Sequence, residues 1–141
     1  MPVRMELSRI LIRELVDYQI IELREVSDSE DLDGAGRTFP IVIGLPEAQA
    51  IERRLKGLPI KRPQTHDLLA NVITELGGTL KSISITDLNE HTFFATLDIQ
   101  TEKGLRRIDC RPSDAIALGV ATQAPIYVAE HVLEAAVRDE G

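Results

Sequence analysis

Two carboxylates and an arginine surround one predicted turn of the chain, in the segment R-I-D-C-R-P-S-D at residues 107–114. Asp109 ends a predicted strand, Asp114 begins a predicted helix, and Arg111 lies between them. Carboxylate oxygens bind Mg²⁺ and Mn²⁺, and an arginine can hold a phosphate through two parallel hydrogen bonds. This corner therefore predicts a site for a divalent metal and a phosphate. The alternative is an internal ion pair, in which Arg111 binds Asp109 or Asp67 and only fixes the corner.

A second group of chemically useful side chains lies in the segment R-P-Q-T-H-D at residues 62–67. Thr65 is predicted to cap a helix. Arg62, His66 and Asp67 would then lie at its N-terminus, where free amides and the helix dipole favour a phosphate. His66 can transfer protons near neutral pH, and Asp67 can orient it or bind a metal. The alternative is that Thr65 and Asp67 only stabilise the helix start, with His66 on the surface and Arg62 paired elsewhere.

Hydrophobic periodicity predicts the elements that must position these residues. Alternating apolar side chains predict three strands in each half of the chain, over residues 3–12, 19–24 and 38–43 and again over 79–86, 92–101 and 105–110. A polar turn is predicted over residues 27–37. Helices are predicted from Pro46, after Thr65, over 113–122 with Ser113 as N-cap, and over 130–138, with a short strand at 126–128. We therefore expect an α+β fold, in which β3α2 units form a mainly antiparallel sheet with packed helices.

The two halves of the chain, residues 3–76 and 79–138, are predicted to be copies related by a pseudo-twofold axis. Pro112 follows Pro46 by 66 positions (112 − 46), and each follows a predicted strand. Proline is favoured at a helix start, because its fixed φ suits the helix and the missing N–H is not needed there. Only the second corner is expected to carry chemistry, since the first offers Glu47 and no arginine.

Composition limits the possible classes of protein. With 141 residues, 43% apolar and 28% charged, the chain suits a single globular domain over residues 1–141. A net charge of −7 opposes a broad basic surface for nucleic acid but permits a local basic groove. The single Cys110 excludes an intramolecular disulfide. No apolar run reaches membrane-spanning length, so we expect a cytoplasmic protein that does not bind membranes.

Five segments carry a resemblance to a known family. They are R-x-F-P-I-V-I-G-L-P-E-A-Q-A-I (37–51), R-P-Q-T-H-D-L-L (62–69), T-F-F-A (92–95), D-C-R-P-S-D-A-I-A-L (109–118) and A-P-I-Y-V (124–128). In this order, over nearly the whole chain, the sequence resembles the bifunctional nuclease family. The resemblance implies a compact domain of two related halves, often oligomeric, with nuclease activity on RNA and DNA. Val42 and Phe94 depart from it, where Trp and Tyr are expected, and neither removes a candidate catalytic group.

Two functional hypotheses follow. The first is a nuclease of low sequence specificity that hydrolyses phosphodiester bonds of RNA and DNA. In this hypothesis His66 is the general acid or base. The carboxylates that act directly or hold Mg²⁺ or Mn²⁺ are Asp67, Asp109 and Asp114, and the arginines that bind the phosphate are Arg62 and Arg111. The second is a non-catalytic oligomeric module that binds a partner protein or a small anion. A homo-oligomer, with a dimer as the first expectation, is predicted from the resemblance and from the apolar edge strands.

Overall fold

The computed structural model describes residues 2–13, 15–16, 18–26, 36–59 and 61–140. Residues 27–35 of the predicted polar turn lie outside these ranges. Over the described residues the chain forms seven strands and four helices: β1 (Pro2–Leu11), β2 (Gln19–Glu25), β3 (Thr38–Ile43), α1 (Leu45–Leu55), α2 (Thr65–Glu75), β4 (Thr79–Asn89), β5 (Thr92–Thr101), β6 (Gly104–Cys110), α3 (Pro112–Thr122), β7 (Ile126–Ala129) and α4 (Glu130–Glu140). None of the helices in these ranges is long and apolar enough to cross a membrane.

The strands form one mixed sheet in the order β3-β2-β1-β7-β4-β5-β6. Neighbouring strands are antiparallel except β7 and β4, which are parallel. The predicted α+β class and the mainly antiparallel sheet are therefore confirmed. The three strands of each half run outward from the centre, and β7 separates the two sets. The duplication itself stays a prediction, which superposing residues 3–76 on 79–138 would test.

Strand alternation decides which side chains enter the core. Ile83 of β4 is paired with Leu97 of β5, and both are buried, while the neighbouring pair Ser84 and Thr96 points to the other face. The nearly all-apolar helix α3 is buried as predicted, with Ile116 fully covered. In contrast, α2 buries none of its residues. The core therefore fixes α3 firmly, and α3 in turn carries the second predicted corner.

A cluster of three charges ties the start of α4 to the sheet. The guanidinium of Arg37 donates to both carboxylate oxygens of Glu25, at 3.1 and 3.0 Å, and to both of Glu130, at 2.8 and 3.2 Å. These hydrogen bonds hold the pKa of Glu25 and of Glu130 below their usual range and raise the pKa of Arg37. The cluster therefore joins the end of β2 to a helix that begins more than 90 residues later, Arg37 and Glu130 being 93 positions apart.

Candidate active site

The first turns of three helices meet at one cleft of about 270 Å³. The residues that line it come from the starts of α1, α2 and α3 and from one later turn of α1: Pro46, Glu47, Ala50, Arg53, Gln64, Thr65, His66, Arg111 and Asp114. A helix N-terminus carries a partial positive charge and unpaired amide groups. Three such termini add partial positive charge to a lining in which the formal charges of two arginines and two carboxylates cancel.

The local sequence explains why each helix starts there. Pro112 is the first residue of α3, and Arg111 before it is the N-cap with an extended backbone, at φ −75° and ψ 150°. The prediction of Ser113 as N-cap was wrong, because Pro112 already has the φ of a helix and moves the start two residues earlier. For α2 the N-cap is Gln64, not Thr65, and its N–H donates to Asp67 at 3.0 Å.

Asp114 is the centre of the cluster. One of its oxygens accepts a hydrogen bond from Nε of Arg111 at 2.9 Å, and the other accepts one from Nη2 at 2.9 Å. The second oxygen also lies 3.3 Å from Nε2 of His66. The hydrogen bonds from Arg111 hold the pKa of Asp114 below its usual range; partial burial opposes this, and His66 lowers the pKa further. Asp114 is therefore ionised at neutral pH and fixes the orientation of both neighbours.

Arg111 joins the two predicted corners. Its Nη2 also donates to Oε1 of Glu47, in the first turn of α1, at 3.1 Å. The two carboxylates raise the pKa of Arg111, and its side chain remains 65% exposed. Glu47 from the first corner thus belongs to the same cluster of charges, and the expectation that only the second corner carries chemistry stays a prediction. An internal ion pair does form at Arg111, but with Asp114 and Glu47 and not with the predicted partners Asp109 or Asp67.

The remaining predicted site residues lie outside this cleft. Asp67 accepts a hydrogen bond from Arg54 at 3.2 Å and caps α2, so it acts on the helix start and on the contact with α1. Arg62 is exposed before α2, and Asp109 is exposed on β6, on the face opposite Cys110. The structure therefore brings His66, Arg111 and Asp114 together and leaves Arg62, Asp67 and Asp109 apart. Their roles in catalysis or metal binding stay predictions.

The arrangement of donors does not suit a metal ion shared by the three predicted carboxylates. Within the ranges that the structure describes, no three His, Cys, Asp or Glu side chains are grouped as metal ligands. Asp114 and Glu47 are both engaged by the guanidinium of Arg111, a cation that competes with a metal for the same oxygens. A site for Mg²⁺ or Mn²⁺ in this cleft would require Arg111 to release both carboxylates.

A larger cavity, of about 660 Å³, lies between β4, β7 and the start of α4. Its charged lining includes Arg107, His131 and Glu134. His131 pairs with an exposed carboxylate, that of Asp87 at 3.6 Å, and its side chain is 67% exposed. The smaller cleft is the better candidate, because there the histidine is oriented by a carboxylate and faces an arginine.

Comparison with known proteins supports the family resemblance of the sequence. The family model described as the bifunctional nuclease domain matches residues 30–140. Uncharacterized protein Rv1829 of Mycobacterium tuberculosis is 42% identical over 97 residues, which cover 69% of this chain and 57% of that protein. Bifunctional nuclease 2 of Arabidopsis thaliana is 23% identical over 103 residues, or 71% of this chain and 31% of the plant protein.

Bifunctional nuclease 1 of Oryza sativa subsp. japonica is likewise 23% identical, over 99 residues that cover 68% of this chain and 30% of the rice protein. The chain thus spans little more than half of the mycobacterial relative and about a third of the plant ones. The matched region includes all three helix starts of the cleft. This chain therefore belongs to the bifunctional nuclease domain family.

Proposed function

We propose that this protein is a nuclease that hydrolyses phosphodiester bonds of RNA and DNA with low sequence specificity, at the cleft formed by the three helix starts. The observation that carries the proposal is the contact of His66 with Asp114, 3.3 Å, beside an arginine whose side chain is 65% exposed. An oriented histidine next to an accessible guanidinium is a combination suited to moving a proton beside a phosphate. Membership of the bifunctional nuclease domain family and its plant relatives supports the same reaction class.

In this proposal His66 is the general base and then the general acid. Asp114 accepts the proton of Nε2, which leaves Nδ1 as the nitrogen that can take a proton from water. The oxygen of that water forms a bond to phosphorus while the bond from phosphorus to the leaving oxygen breaks. His66 then returns the proton to the leaving oxygen, so the reaction ends with a phosphate monoester and a hydroxyl group. Asp114 acts as a positioning residue and stabilises the protonated imidazole.

The cations of the cleft stabilise the charge that develops on the phosphate. Arg111 offers its exposed edge, and Arg53 from α1 lines the same cleft. The first turn of α2 adds backbone amides at Thr65 and His66, which are the groups that bind phosphates at helix N-termini. These contacts recognise the phosphate and not the base, and the chain contains only 4% aromatic residues for stacking on bases. Because the contacts are to the phosphate and not to the base, we expect low sequence specificity.

The test is cleavage of labelled single-stranded RNA and DNA by highly purified protein. The full chain is compared with His66→Ala and with a matched control, His131→Ala, whose imidazole is exposed and outside the cleft. Loss of a general acid and base lowers kcat by about 10² to 10⁴, so His66→Ala should lose activity while His131→Ala retains it. Equal activity in all three proteins would place the activity elsewhere or in a contaminant.

Parallel reactions with Mg²⁺, with Mn²⁺ and with EDTA test the role of a metal. Activity that persists in EDTA supports proton transfer by His66 without a metal. Activity that EDTA abolishes and Mg²⁺ or Mn²⁺ restores would instead support a metal held by the predicted carboxylates Asp67, Asp109 and Asp114. An Arg111→Lys variant adds a separate readout. It keeps the charge and loses the bidentate geometry, so kcat/KM should fall about tenfold or more.

The second candidate function is a non-catalytic module that binds a partner protein or a small anion. The favouring observation is the mutual pairing of charges across the helices: Arg111 with Asp114 and Glu47, and Arg54 with Asp67. Under this hypothesis the pairs have a structural role alone, which is to hold α1, α2 and α3 together. Under this hypothesis no preparation cleaves nucleic acid, and Arg111→Ala lowers the thermal unfolding temperature and weakens binding of phosphate measured by calorimetry.

A further inference from the structure

One edge of the sheet is open and partly apolar. In the described part of the chain β6 is the last strand of the sheet, and nothing pairs with its outer side. Leu105 and Ile108 on this strand are each 49% exposed. The opposite edge strand, β3, contains Pro40, which lacks an N–H and blocks the growth of the sheet. Of the two edges, β6 is thus the one that can accept another strand.

Charges of opposite sign flank Ile108 on β6. Arg107 and Asp109 point to the same face of the sheet, because they are two residues apart. Arg107 is 67% exposed, and its nearest acid is the buried Asp98 at 3.9 Å, beyond hydrogen-bonding range. Three hydroxyl groups already hydrogen-bond to Asp98, from Ser82, Ser84 and Thr96. Arg107 therefore retains donors for a further carboxylate.

We propose that β6 pairs in antiparallel fashion with β6 of a second copy of this chain, with Ile108 of the two copies at the two-fold axis. Directly opposite residues of an antiparallel pair point to the same face. A two-fold axis perpendicular to the sheet keeps each face of the sheet on its own side. The axis must therefore lie midway between the two copies of one residue, so that this residue is paired with itself. With the axis at Ile108, Arg107 of each copy lies opposite Asp109 of the other, which gives two ion pairs of opposite charge.

Neighbouring registers are less favourable. An axis at Arg107 places that arginine opposite its own copy and places Leu105 opposite Asp109. An axis at Arg106 or at Asp109 also sets like charges directly against each other, which destabilises a strand pair. The register through Ile108 is the single one of these four that joins an apolar residue to itself and matches both charges. It extends one sheet through two molecules, as in other edge-to-edge assemblies.

Cysteine cross-linking tests the register directly. In the variant I108C/C110S the two introduced thiols face each other across the axis, with Cα atoms about 4.5–5.5 Å apart, a spacing that a disulfide can bridge. The matched control is L105C/C110S, on the same strand and equally exposed at 49%. Its two thiols are six residues apart along the strand direction, about 20 Å. Under mild oxidation the first variant should form covalent dimers at least ten times faster than the control.

Sedimentation of the full chain with reversed charges supplies the second test. Asp109→Arg should raise the dimer dissociation constant about tenfold or more, since both ion pairs become repulsive. Adding Arg107→Asp should restore most of the affinity. Because this substitution places a carboxylate near the buried Asp98, thermal unfolding verifies that each variant is folded. A monomeric wild-type chain at high protein concentration overturns the proposal. So do cross-linking rates that are equal for the two cysteine variants, and an Asp109→Arg variant that dimerises as the wild type does.

Discussion

Gly119 is a position at which one added methyl group should stabilise the protein. It is a buried glycine in the interior of α3, where glycine is about 1 kcal/mol less favourable than alanine. A Cβ atom there would lie 3.5 Å and 3.7 Å from two side-chain carbons of Ile83 and 3.8 Å from the carbonyl oxygen of Ala124. These are ordinary contact distances, so the methyl fills space without displacing its neighbours. We expect Gly119→Ala to raise the free energy of unfolding by about 1 kcal/mol.

The matched control is Gly78→Ala, at the entrance to β4. A Cβ atom at this position would lie 2.9 Å from a methyl of Ile99 and 3.3 Å from the carbonyl oxygen of Ile73. Overpacking of this kind costs about 1–3 kcal/mol. Thermal unfolding should therefore show Gly119→Ala melting about 3 °C higher than wild type and Gly78→Ala melting lower. A Gly119→Ala protein that is less stable than wild type would contradict the packing described for α3.

Three further predictions concern the site and its support. Burial, and then the charges of nearby carboxylates, raise the pKa of the Cys110 thiol to about 11. Iodoacetamide at pH 8 should thus modify it on the order of 100-fold more slowly than a free cysteine. Arg111 holds the pKa of Asp114 below that of the unfolded chain, so its carboxylate stabilises the fold above about pH 4. This contribution is lost as pH falls through the lower native pKa, so Asp114→Asn should cost about 1 kcal/mol in urea unfolding at pH 7 and progressively less as the pH is lowered below 4. Ile116 is fully buried, and Ile116→Ala should lower the free energy of unfolding by about 2–5 kcal/mol; a loss below 1 kcal/mol would contradict its place in the core.

The elements of the fold could be predicted because their signals are local. Alternating apolar residues mark β3, and the proline at each corner marks a helix start within two residues of the observed one. The nearly uniform apolar surface of α3 correctly predicted a buried helix. Caps were less predictable, because a proline and a neighbouring hydroxyl or acid offer competing helix starts one or two residues apart.

The composition of the site depended on long-range packing and could be predicted only in part. His66 and Asp114 are separated by 48 positions, and Arg111 and Glu47 by 64. Sequence identified three of these four residues from their places at helix starts, but no local pattern pairs Glu47 with an arginine in the other half of the chain. Arg53 was missed for the same reason, since it reaches the cleft from a later turn of α1. Asp109 was assigned to the site by its nearness in sequence, whereas strand alternation turns it to the opposite face of β6 from Cys110.

The pairing of Arg111 with two internal carboxylates has a consequence for how ionic strength should act on the protein. A phosphate at the exposed edge of Arg111 shares the guanidinium with Asp114 and Glu47, whose charges already balance that of the arginine. Proteins with unpaired basic surfaces release many counterions from nucleic acid, and their affinity falls steeply as salt rises. An arginine that is already paired neutralises little phosphate charge in net terms, so phosphate binding in this cleft should release few counterions. Affinity for nucleic acid should accordingly be modest at low salt and should depend only weakly on salt concentration.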